Sequence, residues 1–495
     1  MRLVDLAEPL GKKRIIGDGN VEIGRIDYDS RQCGPGSLFV AIRGESFDGH
    51  QFAAEAVNRG AVALAVESLE LSLPHPVALL HLPDTRKAMA LLSARLYGHP
   101  TRKLKLAGVT GTKGKTTVSY LIQSILHGAG RTAGVIGTLG ARIGDEEIHT
   151  KHTTPEAPDL QRLFQIMVER GVEAASMEVS SHGLHQHRTD SCEFDCGVFT
   201  NLTRDHLDFH GTVEAYLESK LILFRDYPKL SSKKFTAVVG IDDPYAEAVI
   251  AATTGDVLTY GIVKPADICA ADIQVGPTQI NYTLMHRGEQ VGVELAMGGY
   301  FNVYNSLAAI GAAITLGVDL ANAVRGLADA QGVPGRFERV DVGQDFAAIV
   351  DYAHTPDSLR NLLETARNLT SSRLIVVFGC GGNRDRGKRP MMGRIAAELA
   401  DIVVVTSDNP RKEEPAAIID DILDGIDQSL RGNVTVEPDR REAIRKALDM
   451  ARTGDIVVVA GKGHEDYQIF ADRTIHFDDR EVVRQILEER AAWKR

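Results

Sequence analysis

The feature that most constrains the fold is a set of four runs in the last third of the chain, FAAIVDYA, RLIVVFG, DIVVVTS and DIVVVAG, with almost no polar interruption. A strand buried on one face alternates apolar with polar residues. A strand without alternation is buried on both faces, the condition of a parallel sheet covered by helices. Amphipathic stretches such as RPMMGRIAAELA and REAIRKALDMA lie between the runs, so residues 336–495 read as a doubly wound, Rossmann-like domain. The same alternation begins near residue 100: LKLAGVT, AASMEVS, CGVFTNL and FTAVVGI mark a central α/β domain over 101–335, closed by glycine-rich GVPGR. SLFVAI and AVALAVE mark a smaller α/β domain over 1–100, ending at the proline and basic cluster LYGHPTRK. The expected fold class is therefore α/β in three domains. A chain of 495 residues needs such a division, because a single core stops growing well below that length.

Composition narrows the class. Hydrophobic residues at 43% and charged residues at 25% are those of a folded globular protein. The opening MRLVDLAEPLGKKRI is broken by charge and proline, and no run approaches a membrane span, so no membrane partner and a cytoplasmic location are expected. Five scattered cysteines suit a reducing compartment, and the C-x3-C pair Cys192 and Cys196 lacks a second pair at zinc-site spacing and reads as small buried hydrophobes. A net charge of −11 argues against a nucleic-acid partner. Small molecules are the expected partners and a monomer the expected state.

Chemistry enters at GVTGTKGKTTVSYLIQSIL, a strand that turns through glycines into a helix. Gly111 and Gly114 let successive N–H groups of Thr110, Gly111, Thr112, Lys113 and Gly114 face phosphates, while the helix N-terminus adds its dipole. Lys115 would neutralise charge and Thr116 could ligate Mg²⁺. The fit to the general phosphate-loop pattern is imperfect: Val109 stands where a glycine is expected and Gly108 lies one place early. Further along, MEVSSHGL puts Glu178, Ser180, Ser181 and His182 at the carboxyl end of a strand, where α/β sheets bind ligands. TNLTRDHLDFHGT crowds Asn201, Asp205, His206, Asp208 and His210 after another strand. A single histidine is ordinarily structural, but acids and imidazoles clustered in a nucleotide-binding domain favour metal or phosphate chemistry.

The loop TGTKGKTT resembles that of the Mur ligase superfamily, T-G-T-x-G-K-T/S, with Lys113 where the family commonly carries Asn. The resemblance runs through nearly the whole chain and implies ATP as co-substrate with Mg²⁺ as cofactor. On it, Glu178 and His206 inherit metal roles. Lys220 in AYLESKLILF, which would ordinarily be a solvated helix lysine, inherits the place of a carbamylated lysine that offers oxygen to Mg²⁺. Carbamylation needs a neutral amine, hence burial or a nearby cation. Asn302 and Asn305 in GGYFNVYNSLAAI resemble nucleotide-contacting asparagines, although an asparagine there is ordinarily a helix cap. Arg336 in VPGRFE resembles an arginine near the ATP phosphates. Asp351, Tyr352 and His354 in DYAHTPDSL would end the first strand of the C-terminal domain.

For the other substrates, DSRQCGPGSLFVAIRGESFDGHQF resembles the family's UDP-binding segment, which makes the N-terminal domain the UDP-binding one, with Ser30 as its contact. Thr153 and Thr154 in HTTPEA, with Ser180, Gln186 and Arg188 in SSHGLHQHR, match positions that hold UDP-N-acetylmuramoyl-L-alanyl-D-glutamate. The family divides between members adding lysine and members adding meso-diaminopimelate, which carries one more carboxylate and so calls for a bidentate cation. GCGGNRDRGKRP supplies Arg384, and TSDNPRKEEP supplies Asp408, Asn409, Pro410 and Arg411, a D-N-P-R tetrad resembling that of the diaminopimelate-adding members. Gly461 and Glu465 in AGKGHEDYQ complete the set, with Glu465 for the ammonium. Each motif alone has an ordinary reading, a basic loop or an Asn-Pro turn.

The resemblance thus implies a ligase that makes an acyl phosphate of the D-glutamate side chain and lets an amine of meso-diaminopimelate displace phosphate, with His210 and His354 as the bases to consider. Addition of L-lysine, or folylpolyglutamate-synthase-like chemistry, is the alternative. A GTPase would need N-K-x-D, which is absent from the sequence.

Overall fold

The computed structural model describes residues 1–44, 47–144, 146–276, 278–330 and 332–493. Glu45 and Ser46 of the UDP-binding segment lie outside them. The chain forms two compact units, Met1–Cys269 with Leu307–Gly326, and Ala270–Ser306 with Leu327–Arg495.

The first unit opens with a five-stranded sheet in spatial order Arg14–Ile16, Ala78–His81, Ala61–Val66, Ser37–Val40, Arg25–Asp27, parallel except for the first strand. Successive residues of a strand face opposite sides. Leu38, Val40, Ala63 and Ala65 therefore join the core under Leu3–Ala7 and Thr85–Leu96, while Phe39, Ala41, Leu64 and Val66 join a second core under Ala53–Asn58.

Its second sheet is built around Lys105–Thr110. Ala174–Glu178 pairs parallel on one side and Cys196–Phe199 on the other, and Ala133–Gly137, Thr236–Gly240 and Asp256–Gly261 extend it outward. In a parallel sheet every carboxyl end emerges at one edge. The turn after Thr110, the residues after Glu178 and those after Phe199 are consequently neighbours by topology alone, a placement that fits ligand binding. Gly108 keeps the centre thin: a Cβ there would come 2.7 Å from the Phe194 ring. Cys192 and Cys196 are buried free thiols, as expected.

The second unit carries a six-stranded sheet ordered Glu338–Arg339, Ala347–Asp351, Ile456–Ala460, Leu374–Phe378, Ile402–Val405, Val434–Val436, parallel apart from its first strand. All four valine-rich runs are strands, with a separate core on each face. One correction applies: Asp351 ends the second strand of this sheet, because the two-residue antiparallel strand Glu338–Arg339 precedes it without any apolar run to announce it. The antiparallel hairpin Ile280–His286 with Glu289–Leu295 also belongs to this unit, its turn made by Arg287 and Gly288 at φ 50° and 83°. Among the described residues no helix is long and apolar enough to cross a membrane.

Candidate functional site

In the first unit the strand Lys105–Thr110 runs through Gly111–Gly114 into the helix Lys115–Gly128. Gly111 is required by close approach, since a Cβ would sit 1.9 Å from the Thr200 hydroxyl, and Gly114 adopts φ 87°, where L side chains are strained. Neighbouring strand ends clamp the loop: the Lys113 N–H donates to Asn201 Oδ1 at 3.0 Å, and the Thr200 hydroxyl and Asn201 amide donate to the Lys113 carbonyl at 2.7 and 3.1 Å. The Lys113 backbone is thus fixed without the family's Asn. Lys115 Nζ donates to the carbonyls of Gly111 and Thr112 at 2.9 and 3.1 Å. The Thr112 hydroxyl accepts from the Thr203 N–H at 3.0 Å. Thr116 is buried in the first helical turn, and the buried Thr110 hydroxyl has no hydrogen-bond partner among the described residues.

Lys220 overturns the ordinary reading of a solvated helix lysine. It lies on Val213–Arg225, a helix whose start is fixed by the Thr212 hydroxyl accepting the Ala215 N–H at 3.1 Å, and it is 1% exposed. Its Nζ donates to the same Gly111 carbonyl at 2.9 Å and sits 4.3 Å from the centre of the Tyr216 ring. Burial, and then the Lys115 charge, drive its pKa well below the ordinary 10.5. The depressed pKa makes the neutral amine, the form that reacts with CO₂, more accessible here than at a surface lysine.

Glu178 ends the adjacent strand, 1% exposed, with its carboxylate accepting the Thr138 N–H at 2.8 Å and the Thr138 hydroxyl at 3.2 Å. Gly137 makes the room, because a Cβ there would come 2.3 Å from Glu178 Oε1. His206 follows the other flanking strand in the left-handed region at φ 53°, its ring set edge-on to His182 at 4.9 Å. Burial foremost, with Lys115 and Lys220 nearby, lowers its pKa and favours the neutral ring that can ligate a metal. His210 bonds Ser181 at 3.0 Å and Ser219 at 3.3 Å, and burial and the surrounding histidines press its pKa to about 4. So weak a base is a poor acceptor for an ammonium proton.

Among the described residues no three His, Cys, Asp or Glu side chains converge as a metal cage. Mg²⁺ needs none, since it binds through one or two protein oxygens, water and phosphate. The Thr116 hydroxyl and the anchored Glu178 carboxylate supply oxygens that fit such an ion, and the depressed pKa of Lys220 fits its conversion to a carbamate oxygen donor.

The residues matched to the UDP-linked substrate extend from Glu178. Thr153 and Thr138 share a hydroxyl contact of 3.1 Å; the Thr154 hydroxyl donates to the Glu178 carbonyl at 2.9 Å and accepts the Ser180 N–H at 3.0 Å. Ser180 caps Ser181–His185 through the Gly183 N–H at 3.0 Å. Arg188 donates to the Thr154 carbonyl at 2.9 Å and to Gln186 Oε1 at 2.7 Å. Sequence reading missed Glu156, a buried carboxylate 3.0 Å from Arg188 and 3.3 Å from Arg86. One acid between two arginines leaves net positive charge. Arg86 and Gln186, with Arg43 and His185, line a cavity of about 430 Å³. Ser30 stands apart from this network, its hydroxyl donating to Glu55 at 2.8 Å.

In the second unit Asn302 is buried at the start of Phe301–Thr315, donating to the Gly298 carbonyl at 2.7 Å and accepting from Asn305 at 2.8 Å. The Arg336 guanidinium lies 4.8 Å from the Tyr352 ring centre, and Tyr352 packs on His354 at 4.6 Å and His464 at 5.0 Å. Among the described residues the buried Arg336 Nε has no hydrogen-bond partner, which leaves a donor for a ligand.

The remaining candidates gather at the carboxyl ends of Leu374–Phe378, Ile402–Val405 and Ile456–Ala460. Arg384 and Arg411 flank Gly381: a Cβ at that glycine would lie 2.9 Å from Arg411 Nη1 and 3.8 Å from Arg384 Cγ. Arg411, at φ 53°, donates to the Gly382 carbonyl at 3.0 Å. Asn409 donates to Glu465 at 3.0 Å. Asp408 and Pro410 are buried beside it, and Gly461, at φ 125°, donates its N–H to the Asp351 carbonyl at 3.0 Å. Burial and then the Asp408 charge raise the pKa of Glu465. Sequence reading missed Lys462, fully buried with its Nζ 3.3 Å from Asp408 Oδ1. Glu156 and Lys462 both stand inside motifs already noticed, but each pairs with residues distant in sequence.

Three family models match successive parts of the chain: the Mur ligase family catalytic domain over residues 22–97, the Mur ligase middle domain over 109–313, and the Mur ligase glutamate ligase domain over 335–463. A UDP-N-acetylmuramoyl-L-alanyl-D-glutamate--2,6-diaminopimelate ligase of Syntrophomonas wolfei is 46% identical, over 98% of this chain and 99% of the relative. The protein with the same description in Geobacillus thermodenitrificans is 47% identical over 95% and 96%. A solved structure so described superposes with TM-score 0.72 at 34% identity, covering 99% of both chains. The chain belongs to the Mur ligase family.

Proposed function

We propose that the chain joins meso-diaminopimelate to the D-glutamate side chain of UDP-N-acetylmuramoyl-L-alanyl-D-glutamate with ATP, giving the UDP-linked tripeptide, ADP and phosphate in cell-wall synthesis. The observation that carries the choice of amino acid is that the Arg411 guanidinium and the stem of Arg384 both lie beside Gly381, in the domain that also holds Asn409 and Glu465. Two guanidinium groups suit the far carboxylate that lysine lacks, and the Glu465 carboxylate suits the ammonium beside it.

The chemistry follows from charge. Phosphates of ATP meet the N–H groups of residues 110–114 and the start of Lys115–Gly128, and Lys115, which in the free loop bonds two carbonyls, turns to them. The substrate carboxylate, its anionic portions held by Thr153, Thr154, Ser180, Gln186 and Arg188, attacks the γ-phosphate; the bond to ADP breaks and an acyl phosphate forms. Lys220 as carbamate, with Glu178, His206 and Thr116, would hold Mg²⁺, which when bound neutralises charge on the transferring phosphoryl group. The amine then adds to the acyl carbon and phosphate leaves. Asn302 and Arg336 are assigned to the nucleotide, Ser30 to the UDP moiety, and Asp408, Pro410 and Gly461 shape the amino-acid pocket. Domain limits at 100 and 335, a cytoplasmic location and a monomeric state complete the proposal.

Mass spectrometry of the product tests it. A single meso-diaminopimelate added to the UDP-dipeptide, with ADP, is expected. A product extended by lysine from an equimolar mixture would contradict the assignment of the arginines.

A further inference from the structure

Beneath the amino-acid pocket lies a lysine to which the reaction above gives no part. Lys462 is fully buried, and its Nζ donates to Asn409 Oδ1 at 3.1 Å and to the Tyr467 carbonyl at 2.7 Å. Asp408 Oδ1 lies 3.3 Å away, buried and with no hydrogen bond of its own among the described residues. Asn409 Oδ1 also accepts the Ile469 N–H at 2.9 Å. With its oxygen committed to two donors, the Asn409 amide has one orientation open, and its NH₂ must point to Glu465 Oε2, 3.0 Å away. Resting on the assignment of Asp408, Asn409 and Glu465 to the amino-acid pocket, we propose that Lys462 is a positioning residue for amino-acid recognition: its ammonium fixes the Asn409 amide and holds the Asp408 and Glu465 carboxylates together to receive the incoming ammonium group.

The electrostatic logic is that of a bridging cation. Two carboxylates close together in a half-buried site oppose each other's ionisation, and a third charge of opposite sign relieves it. The charged and titratable groups around Glu465 are Asp408, Lys462, Arg411, Arg440, Tyr352 and Tyr467. Burial and Asp408 raise its pKa, while Lys462 and Arg411 oppose the rise. Loss of Lys462 raises it further. An acceptor carboxylate is lost as pH falls through its pKa, so a higher pKa moves that loss to higher pH.

The test is Lys462→Met in the full-length protein, assayed with ATP, the UDP-dipeptide and meso-diaminopimelate across pH. The KM for meso-diaminopimelate should rise about tenfold or more, the size expected for a lost charge-assisted contact. The acid limb of kcat/KM for that substrate should move up in pH, while KM for ATP and for the UDP-dipeptide stays within about twofold. A variant that folds, by its melting transition, yet keeps both the KM and the acid limb overturns the proposal, as does an equal loss toward all three substrates. Should K462M not fold, D408N/K462M, which removes the stranded carboxylate, is compared with D408N alone, and a KM for meso-diaminopimelate and an acid limb no different from those of D408N overturn the proposal. Wild-type protein inactive with meso-diaminopimelate would instead overturn the pocket assignment itself, a result seen before any variant is made.

Discussion

Lys220 decides most at the scale of single residues. Its amine is enclosed by a helix, an aromatic ring and the phosphate loop, and Lys115 shares its carbonyl partner, so the amine loses its proton far more readily than a surface lysine. Because the folded pKa lies below the unfolded one, the unfolded chain takes up this proton first as pH falls. Stability therefore declines on acidification through the window beneath 10.5. Lys220→Met should flatten that slope, seen as melting temperature against pH, and should cut ligase activity at least about hundredfold by removing transition-state charge stabilisation. Wild-type protein equilibrated with ¹³C-bicarbonate should show a carbamate carbon resonance that K220M lacks; identical spectra would contradict carbamylation. The resemblance made Lys220 a candidate and called for burial or a nearby cation, but the residues that supply them were beyond reach, because they come from positions 111 and 115 as well as its own helix.

At the scale of elements, the strand–turn–helix around Gly111 is where sequence and structure agree most closely, since each part is local: an apolar run, glycines and a helix start. The partners that hold it, Thr200 and Asn201, are one strand over and were visible only as a crowded loop. Gly111→Ala pushes a methyl into the Thr200 hydroxyl. It should cost about 1–3 kcal/mol of stability by overpacking, measured by urea unfolding, and raise the KM for ATP about tenfold. G111A/T200A should recover part of both, and no recovery would place the strain elsewhere. The hairpin Ile280–His286 with Glu289–Leu295 was missed for the opposite reason. Its turn residues Arg287 and Gly288 both take positive φ, and arginine is not a residue that announces such a turn.

For the whole molecule, three large sheets each have cores of their own, and the proposal gives the UDP-dipeptide and meso-diaminopimelate separate sets of residues; the apolar runs made the division into sheets legible before any coordinates. What the runs did not convey is the set of polar partners, Thr138, Glu156 and Lys462, that hold the site residues in place, since hydrophobic periodicity carries no information about which acid meets which base. Separate sets of residues predict separable effects. Arg188→Lys should raise the KM for the UDP-dipeptide about tenfold with little change for meso-diaminopimelate, and Arg411→Lys should do the reverse, because a point charge replaces a fork-shaped donor in each. Steady-state kinetics with each substrate varied in turn checks both, and equal losses in both variants would contradict the division. The most direct test of the account is phosphate release from ATP, Mg²⁺ and the UDP-dipeptide with meso-diaminopimelate or L-lysine as the amine. Release with meso-diaminopimelate alone is the predicted result; release with L-lysine would contradict the reading of Arg384 and Arg411, and release with neither would contradict the ligase reaction.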